Sequence, residues 1–498
     1  MKQLLGIDVG TSGVKCLLIE ENGTIVASAT ATYPLSTPRP TWSEQDPHHW
    51  WEGTLAALRE LFSQHDASQV AAVGLCGQMH GLVAIDSAGE VVRNAILWND
   101  QRTEGECAEI INLAGGLEAL VSCTNNTMLP GYTGGKLLWL KKNEPEAYAK
   151  TEKFVLPKDY IRYQLTGKLA TDVSDASGTG LFDVKENRWA EGLMELLDLE
   201  ADLLPEVVES DEASGTVSEE AASVTGLKAG IPVYGGGGDA VLQNAGMGIV
   251  SEGTLGVILG TSGVVATPMR SFADNENGRL QFFRSNEAGS YMVFGCQLSC
   301  AGAMEWFRQT IFADSADPFP IINREAAASP IGSGGVCFLP YLSGERCPHP
   351  DPNARGVFYG LSLATDRGDL ARALMEGVTF GLYEIYGLMQ QANPDLKVRD
   401  IIISGGGSKS PVWKQIIADI FGLPVKVLSG ASEGGAYGAA LVAAVGEKVM
   451  TSLAETEHLH EVEETVMPDE KAHEAYRRPY ELFRRLYEDL KETYMQFA

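Results

Sequence analysis

Two Gly-Thr-Ser-Gly turns are the first candidates for chemistry in this sequence. They occupy Gly10 to Gly13 and Gly260 to Gly263, half a chain apart in 498 residues. Backbone N–H groups in such turns converge on phosphate oxygens, and neighbouring hydroxyls add donors. One turn of this kind is as well explained by a plain hairpin tip, but two at this spacing favour phosphate binding. The predicted phosphate contacts are Thr11, Ser12, Gly260, Thr261 and Ser262.

Asp8 lies two residues before the first turn. A carboxylate would repel a bare phosphate, so this arrangement makes sense if Mg²⁺ stands between the two groups. The sequence therefore predicts a Mg²⁺ site at Asp8. The alternative is an aspartate that only stabilises its own turn.

Asp239 follows a run of four glycines, where a strand pattern gives way to a helix pattern. The glycines allow a substrate to approach the backbone closely. An aspartate here can serve as a helix N-cap or dipole partner. The functional alternative is a base that accepts a proton from a hydroxyl as its oxygen attacks phosphorus.

Two other glycine-rich loops carry candidate binding residues. Met79 and His80 lie in GLCGQMHG between two strand patterns, where His80 could hydrogen-bond substrate hydroxyls, although a lone histidine is more often structural. Gly406 and Gly407 follow a strand pattern in ISGGGSKSPVW and could pass a flat ring, although an ordinary β–α turn looks the same. No Walker A motif is present, so a nucleotide would be bound in another way.

The elements that must position these residues repeat in the two halves. Each Gly-Thr-Ser-Gly turn joins two strand patterns, which predicts duplication of one fold with a cleft between the copies. The segment ATDVSDASGTGLFDV is predicted as a loop, and residues 209–232 as a polar surface excursion. The C-terminal segment is predicted as an amphipathic helix interrupted at Pro479.

Composition narrows the class of protein. The formal net charge of −28 disfavours nucleic acid and anionic lipid as partners. No apolar run approaches the ~18 residues that span a bilayer, and no secretory signal pattern opens the sequence. The eight cysteines lack paired zinc-site spacing, which is typical of a reducing compartment. A cytoplasmic protein is therefore expected.

Together these motifs resemble the FGGY carbohydrate kinases, and within that family the kinases of xylulose. The resemblance spans essentially the whole chain, with the motifs in family order. It rests on GIDVGTSGVK, WSEQDP, GLCGQMHG, ILWNDQR, LPKDYIRYQLTG, DVSDASGT, LGTSGV, FLPYLSGER and ISGGGS. Two longer stretches, Gly131 to Trp139 and Gly356 to Gly377, look like the family's signature patterns.

The resemblance implies an α/β fold of two actin/hexokinase-like (ribonuclease H-like) domains with a central cleft. Residues 1–246 would form the N-terminal domain, with the sugar site, the first phosphate turn and the catalytic aspartate. Residues 247–498 would form the C-terminal domain, with the second phosphate turn and the adenosine site. The implied reaction is MgATP-dependent phosphorylation of a sugar, D-xylulose at its 5-hydroxyl. The resemblance also leaves room for a homodimer.

The family's functional residues carry over to matching positions. Asp239 corresponds to the proton acceptor, Met79 and His80 to the sugar-binding pair, and Asp8 to the acid at the Mg²⁺ site. The implied ATP contacts are Thr11, Ser12, Gly260, Thr261, Gly406 and Gly407.

One position departs from the pattern, and several alternatives remain open. Many xylulose kinases carry asparagine after the catalytic aspartate, whereas this chain has Ala240. Gln243 and Asn244, one turn later, are the alternative donors. A kinase of gluconate, ribulose or glycerol is the alternative within the family. An actin-like nucleotide switch without a sugar site, or a sugar sensor without catalysis, is the alternative outside it.

Overall fold

The computed structural model describes residues 2–313, 317–429 and 433–497. The strands of the first half are β1 Gln3–Val9, β2 Gly13–Glu20, β3 Ile25–Thr32, β4 Glu44–Gln45, β5 Val70–Gly77, β6 Val83–Asp86, β7 Ala95–Ile96, β8 Thr151–Val155, β9 Ala170–Asp172, β10 Phe182–Asp183, β11 Arg188–Trp189, β12 Glu206–Val208, β13 Ala213–Thr216, β14 Pro232–Tyr234 and β15 Gly237–Gly238. Its helices are α1 Pro47–Phe62, α2 Glu104–Leu113, α3 Leu117–Thr124, α4 Thr133–Asn143, α5 Pro145–Lys150, α6 Pro157–Thr166, α7 Val173–Ser177, α8 Glu191–Leu196, α9 Glu219–Thr225 and α10 Asp239–Gly246.

The second half has fewer and longer elements. Its strands are β16 Thr254–Leu259, β17 Gly263–Met269, β18 Gln281–Arg284, β19 Tyr291–Gln297, β20 Cys337–Leu339, β21 Val357–Tyr359, β22 Asp400–Ser404, β23 Val425–Leu428 and β24 Val462–Val466. Its helices are α11 Ala301–Ile311, α12 Pro318–Ala328, α13 Arg367–Ala392, α14 Pro411–Phe421, α15 Gly434–Gly446 and α16 Glu470–Tyr494.

Each half is built on a seven-stranded mixed sheet, and the two sheets share one plan. The first runs β13-β14-β5-β1-β2-β3, with β15 also paired to β5, and the second runs β18-β19-β17-β16-β22-β23-β24. In each, an antiparallel hairpin (β1–β2 or β16–β17) is followed on one side by a third antiparallel strand. On the other side, β5 or β22 joins in parallel. The prediction of a duplicated two-domain α/β fold is confirmed.

The two Gly-Thr-Ser-Gly turns occupy equivalent places in the two sheets. The first joins β1 to β2 and the second joins β16 to β17. The central strand β1 is buried on both faces, with Leu4 in one core and Leu5 in another, because helices cover the sheet on each side. The first Gly-Thr-Ser-Gly turn therefore follows directly from a strand that is packed on both faces.

Helix α15 comes late in the chain but packs on the first sheet. A side chain at Gly6 of β1 would place its Cβ 1.9 Å from the carbonyl oxygen of Ala436, and one at Gly74 of β5 would lie 1.9 Å from that of Ala439. The two glycines thus permit backbone-to-backbone contact between sheet and helix. The proposed division of the chain at residues 246 and 247 remains a prediction, and α15 ties the two halves together.

Three predictions about local structure are wrong. The segment predicted as a loop contains the buried helix α7, and residues 209–232 contain β13 and α9, because Val217 and Ala221 enter the first core. Helix α16 continues through Pro479. The proline removes one backbone hydrogen bond, but Phe483 and Tyr487 anchor the helix in the second core on the far side of it.

No single helix in the described parts of the chain is long and apolar enough to cross a bilayer. The pair α2 and α3 meets the criterion only jointly, across a bend of 86°.

Candidate active site

Three strands of the first sheet end side by side and bring the predicted site residues together. Parallel pairing places Asp8 of β1 and Gly237 of β15 on either side of Cys76 in β5. The chain continues from β5 into the Met79–His80 loop and from β15 into Asp239, the first residue of α10. The carboxyl ends of these strands therefore form the floor of the site.

Asp239 is positioned by the glycine run before it. Gly238 is the N-cap of α10, so Asp239 is not the N-cap but the acidic first residue of the helix, where it can still act as a dipole partner. Gly236 has a φ of 69°, and a Cβ there would lie 1.9 Å from the carbonyl oxygen of Leu75. Only glycine permits this close turn, which aims the next residues into the cleft.

The Asp239 carboxyl has a pKa far above that of an ordinary aspartate. Burial raises its pKa to about 7, the negative charge of Asp8 adds to the increase, and the backbone N–H groups of Ala240 and Met79 partly offset it. The Ala240 N–H donates to Oδ1 at 2.7 Å. A carboxyl group whose pKa is near neutrality can exchange a proton with a substrate hydroxyl at physiological pH.

Asp8 is the second acid of the cleft. Burial raises its pKa, while the Cys76 thiol and the Lys15 ammonium lower it. Its Oδ1 has no hydrogen-bond partner among the described residues. A side chain on Gly435 would come within 2.6 Å of its Oδ2, so α15 packs directly against this carboxylate.

The residues of the sugar-binding prediction lie beside Asp239. Met79 is buried, and a Cβ on Gly238 would be 2.5 Å from its Sδ, so the two loops are in contact. His80 has a φ of 68°, which is unusual for a residue with a side chain. Its carbonyl oxygen accepts from Lys136 Nζ at 2.7 Å and Thr133 Oγ1 at 3.1 Å, and these bonds hold the strained loop.

The imidazole of His80 is neutral and oriented. Burial lowers its pKa to about 3, and the nearby charges of Lys136 and Arg346 add to the decrease. Its Nδ1 lies 2.6 Å from the carbonyl oxygen of Gly178, which only a protonated Nδ1 can satisfy. Nε2 therefore carries the lone pair of the ring and can accept a hydrogen bond.

Sequence reasoning missed an aromatic wall around His80. The ring of Tyr132 stacks on it at 4.7 Å between centroids, and Phe283 meets it edge-on at 6.1 Å. Phe283 belongs to β18 of the second sheet, and Gln281 of the same strand donates to the Tyr132 hydroxyl at 2.7 Å. Tyr132 lies in the signature stretch Gly131 to Trp139 but was not predicted as a site residue, and no local signal connects β18 with this site.

The first turn is linked to the same loop by its threonine. Thr11 Oγ1 donates to Gln78 Oε1 at 3.1 Å and accepts from Trp98 Nε1 at 2.9 Å. Its hydroxyl is thus occupied within the protein, whereas the side chain of Ser12 is exposed. Trp98, which is 46% exposed, was not predicted, although its motif ILWNDQR was recognised.

The second turn is anchored by the start of α11. The Ala301 N–H donates to the Gly260 carbonyl at 2.8 Å, and the Cys300 N–H donates to the Thr261 carbonyl at 2.9 Å. These bonds use the carbonyl groups of the turn. The side chain of Thr261 is exposed and is therefore accessible to a ligand.

Gly406 and Gly407 border a cavity of about 520 Å³ next to the second turn. Gly405 before them has a φ of 87°, and a Cβ on Gly407 would lie 2.8 Å from Leu259 Cβ. The apolar walls of the cavity suit a flat ring, and its edges carry polar groups. The lining includes Ala301, Met304, Phe319, Ile322, Asn323, Met375, Ser410 and Trp413. A second cavity of similar volume, lined in part by Pro479, contains none of the candidate site residues.

The protein supplies few ligands for a metal ion. Among the described residues, no group of three or more His, Cys, Asp or Glu side chains converges as a ready metal site. Asp8 is the candidate, because its Oδ1 is buried without a partner. Mg²⁺ commonly binds through one or two carboxylates, with phosphate and water completing its shell, so Asp8 fits this ion.

Family models match the chain along most of its length. Residues 3–246 match the N-terminal domain of the FGGY family of carbohydrate kinases, and residues 255–447 match its C-terminal domain. The chain belongs to the FGGY family of carbohydrate kinases. This FGGY kinase is therefore an enzyme of the carbohydrate-kinase class with the actin/hexokinase-like fold of that family.

Individual relatives are similar over nearly all of this FGGY kinase. The xylulose kinase of Staphylococcus xylosus is 37% identical over 491 residues, 98% of this chain and 100% of its own. That of Escherichia coli K12 is 37% identical over 490 residues, 98% and 99% of the two chains. Two solved structures from Lactobacillus acidophilus, a xylulose kinase and a gluconate kinase, are both 28% identical and cover both chains completely, with TM-scores of 0.93 and 0.92.

Proposed function

We propose that this FGGY kinase transfers the γ-phosphoryl group of ATP to the 5-hydroxyl of D-xylulose, with Asp239 as the proton acceptor. The observation that carries the proposal is the place of Asp239. It starts a helix at the floor of the cleft, in contact with the Met79 loop and facing the charge of Asp8. The first Gly-Thr-Ser-Gly turn and the proposed sugar loop both follow the strand ends that neighbour Asp239.

In the proposed reaction the sugar lies against Met79, His80 and the Tyr132 ring. His80 Nε2 accepts from one sugar hydroxyl and so orients the chain of the ketose. Asp239 accepts the proton of the 5-hydroxyl as that oxygen bonds to the γ-phosphorus and the bond from phosphorus to the β,γ-bridging oxygen breaks. ADP leaves with the electron pair of that bond.

The phosphates of ATP would lie between the two Gly-Thr-Ser-Gly turns. Backbone amides of both turns, with Ser12 and Thr261, supply donors to oxygens whose charge grows during transfer. Asp8 would hold Mg²⁺ there, and the bound ion would neutralise phosphate charge. The adenine ring would lie in the cavity beside Gly406 and Gly407, whose walls are largely apolar.

D-xylulose is favoured by the sequence relatives, but the fold alone does not separate it from gluconate. The xylulose and gluconate kinases of Lactobacillus acidophilus match this chain almost equally in fold. Ala240 occupies a position beside the base where it offers the sugar no side-chain donor. Asn244, one turn later, uses its Nδ2 on the Ala240 carbonyl at 2.7 Å, which does not support it as a substitute donor.

The experiment is a substrate panel with MgATP, read as ADP release and as phosphorylated product. We expect D-xylulose to give the highest kcat/KM, above D-ribulose, gluconate and glycerol. ATP turnover without sugar is the background to be subtracted. A clear preference for gluconate would overturn the substrate, and sugar-independent turnover at the same rate would overturn the kinase assignment.

A further inference from the structure

Five fully buried charged side chains form a network behind the floor of the site. Lys158 Nζ lies 2.7 Å from Asp159 Oδ1, 2.8 Å from Asp172 Oδ1 and 2.9 Å from Asp175 Oδ2. Arg162 is 3.5 Å from Asp159. Burying such groups costs more free energy than an apolar core of equal volume, so stability alone does not explain the network.

The network is hydrogen-bonded to both ends of the glycine run that precedes Asp239. Arg162 donates to the carbonyl oxygens of Tyr234 at 3.0 Å and Gly235 at 2.6 Å. At the other end of the run, the Gly238 N–H donates to Ser174 Oγ at 3.0 Å. The Ser174 hydroxyl in turn donates to Asp172 Oδ2 at 2.5 Å. The run is thus fixed on both sides of its glycines, which have little conformational preference of their own.

The same network supports the sugar loop. A Cβ on Gly77, at the end of β5, would lie 3.0 Å from Lys158 Cβ. Gly77 pairs with Gly238 and is followed by Gln78 and Met79. One buried group of charges therefore stands behind both loops that line the sugar side of the cleft.

The charge state of the network is consistent with a rigid support. Burial raises the pKa of Asp175 well above its usual range, and the negative charges of Asp172 and Asp159 act in the same direction against Lys158. Lys158 lies within ion-pair distance of all three carboxylates. A buried network held in this way can stay in place while substrate charge enters and leaves the cleft.

We propose that Ser174, held by Asp172, and Arg162 are positioning residues that fix the glycine run and thereby place the Asp239 carboxyl against the substrate hydroxyl. Neither residue touches the substrate. This inference rests on the proposed role of Asp239. It assigns a function to the DVSDASGT motif, to which the reaction itself gives none.

The test compares Ser174→Ala with Ser329→Ala. Ser329 is a matched control, because it also donates from Oγ to a carboxylate, Asp369 Oδ1 at 2.6 Å, but in the second half and away from the site. We expect Ser174→Ala to lower kcat for sugar phosphorylation roughly tenfold, since small displacements of a base are costly, with both KM values changed by less than about twofold. Ser329→Ala should leave kcat unchanged. Ser174→Thr, which keeps the hydroxyl, should restore most of the rate.

Hydrogen exchange of the glycine run gives a readout that does not depend on catalysis. In Ser174→Ala, exchange at Gly236 to Gly238 should accelerate, and in Ser329→Ala it should not. Arg162→Lys, which keeps the charge and loses one carbonyl contact, should show the same pattern if Ser174→Ala fails to fold. Unchanged exchange, or faster exchange with unchanged kcat, would overturn the positioning role. If the wild type phosphorylates no sugar, the proposed function fails, and exchange still decides whether Ser174 holds the run.

Discussion

At the scale of single residues, the site depends on two carboxylates that share one cleft. Burial raises the pKa of both carboxyl groups, and the negative charge of Asp8 raises that of Asp239 further. For Asp239 this is useful, because a base with a pKa near 7 is ionised when needed and accepts a proton readily. For Asp8, a bound cation beside the carboxylate would offset the cost of its ionisation.

The pH dependence of the reaction follows from Asp239. The base must be ionised, and its pKa in the free enzyme is about 7. We therefore expect kcat/KM for the sugar to fall about tenfold per pH unit below that pKa. Initial rates at saturating ATP from about pH 5 to pH 9 measure the profile. A rate that stayed constant well below neutrality would show that Asp239 is not the titrating base.

The same buried charge should cost stability. A carboxyl group whose pKa is raised on folding favours the folded state in its protonated form, so that stability is lost as the pH rises through about 7. Asp239→Asn removes the charge at nearly constant shape. We expect it to raise the free energy of unfolding at pH 8 by roughly 1–3 kcal/mol and to have a clearly smaller effect at pH 5, because most of the ionisation cost arises between about pH 5 and pH 7. Chemical denaturation at both pH values checks this; equal or lower stability of the variant at pH 8 would contradict it.

Sequence reasoning identified the types of residues that approach the cleft, but not all their partners. The residues Asp8, Met79, His80 and Asp239 were found because glycines flank them within a few positions. Trp98 and Phe283 were missed as site residues, because their contacts with Thr11 and His80 join segments distant in sequence. No local pattern encodes such a contact.

At the scale of elements, close packing of α15 on the first sheet joins the two halves. Gly74 meets the backbone of Ala439 directly. Gly74→Ala should therefore destabilise the protein by about 3 kcal/mol or more, because neither backbone can yield. Gly192→Ala, in α8 with nothing near its Cβ, is the control and should stabilise by up to about 1 kcal/mol. Thermal unfolding compares them; similar Tm values would contradict the packing.

The unbroken helix α16 makes a second prediction at this scale. Pro479 cannot donate to the carbonyl of Ala475, so the helix is held by its apolar contacts alone at that point. Pro479→Ala restores the donor and should raise the free energy of unfolding by roughly 1–3 kcal/mol. Denaturant unfolding measures it. Destabilisation would mean that the proline ring contributes more to packing than its missing hydrogen bond costs.

These elements show where local reasoning fails. Helix propensity placed a break at Pro479, and polar composition placed a loop at α7. In both cases tertiary burial outweighed the local preference, through Phe483 and Tyr487 in one and through the Lys158 network in the other. The strand–turn–strand pattern around each Gly-Thr-Ser-Gly turn was predicted correctly, because two adjacent apolar strands joined by a tight turn have little choice but to pair.

At the scale of the whole molecule, duplication gives each half one Gly-Thr-Ser-Gly turn, and these two turns are the proposed phosphate sites. The second half also contacts the proposed sugar loop, since β18 packs Phe283 and Gln281 against His80 and Tyr132. Movement of the halves would therefore change the sugar and phosphate sites together. The homodimer implied by family resemblance remains a prediction, which sedimentation velocity can test.

The central claim is that the Asp239 carboxylate takes the proton of the sugar hydroxyl. Its most direct test is the single-turnover rate of D-xylulose phosphorylation with MgATP, measured by rapid quench in wild type and Asp239→Asn. Calorimetric ATP binding serves as the control for intact structure. We expect the rate to fall by about 10²–10⁴, with ATP affinity within about twofold of wild type. A variant that binds ATP normally and phosphorylates the sugar at the wild-type rate would contradict the claim.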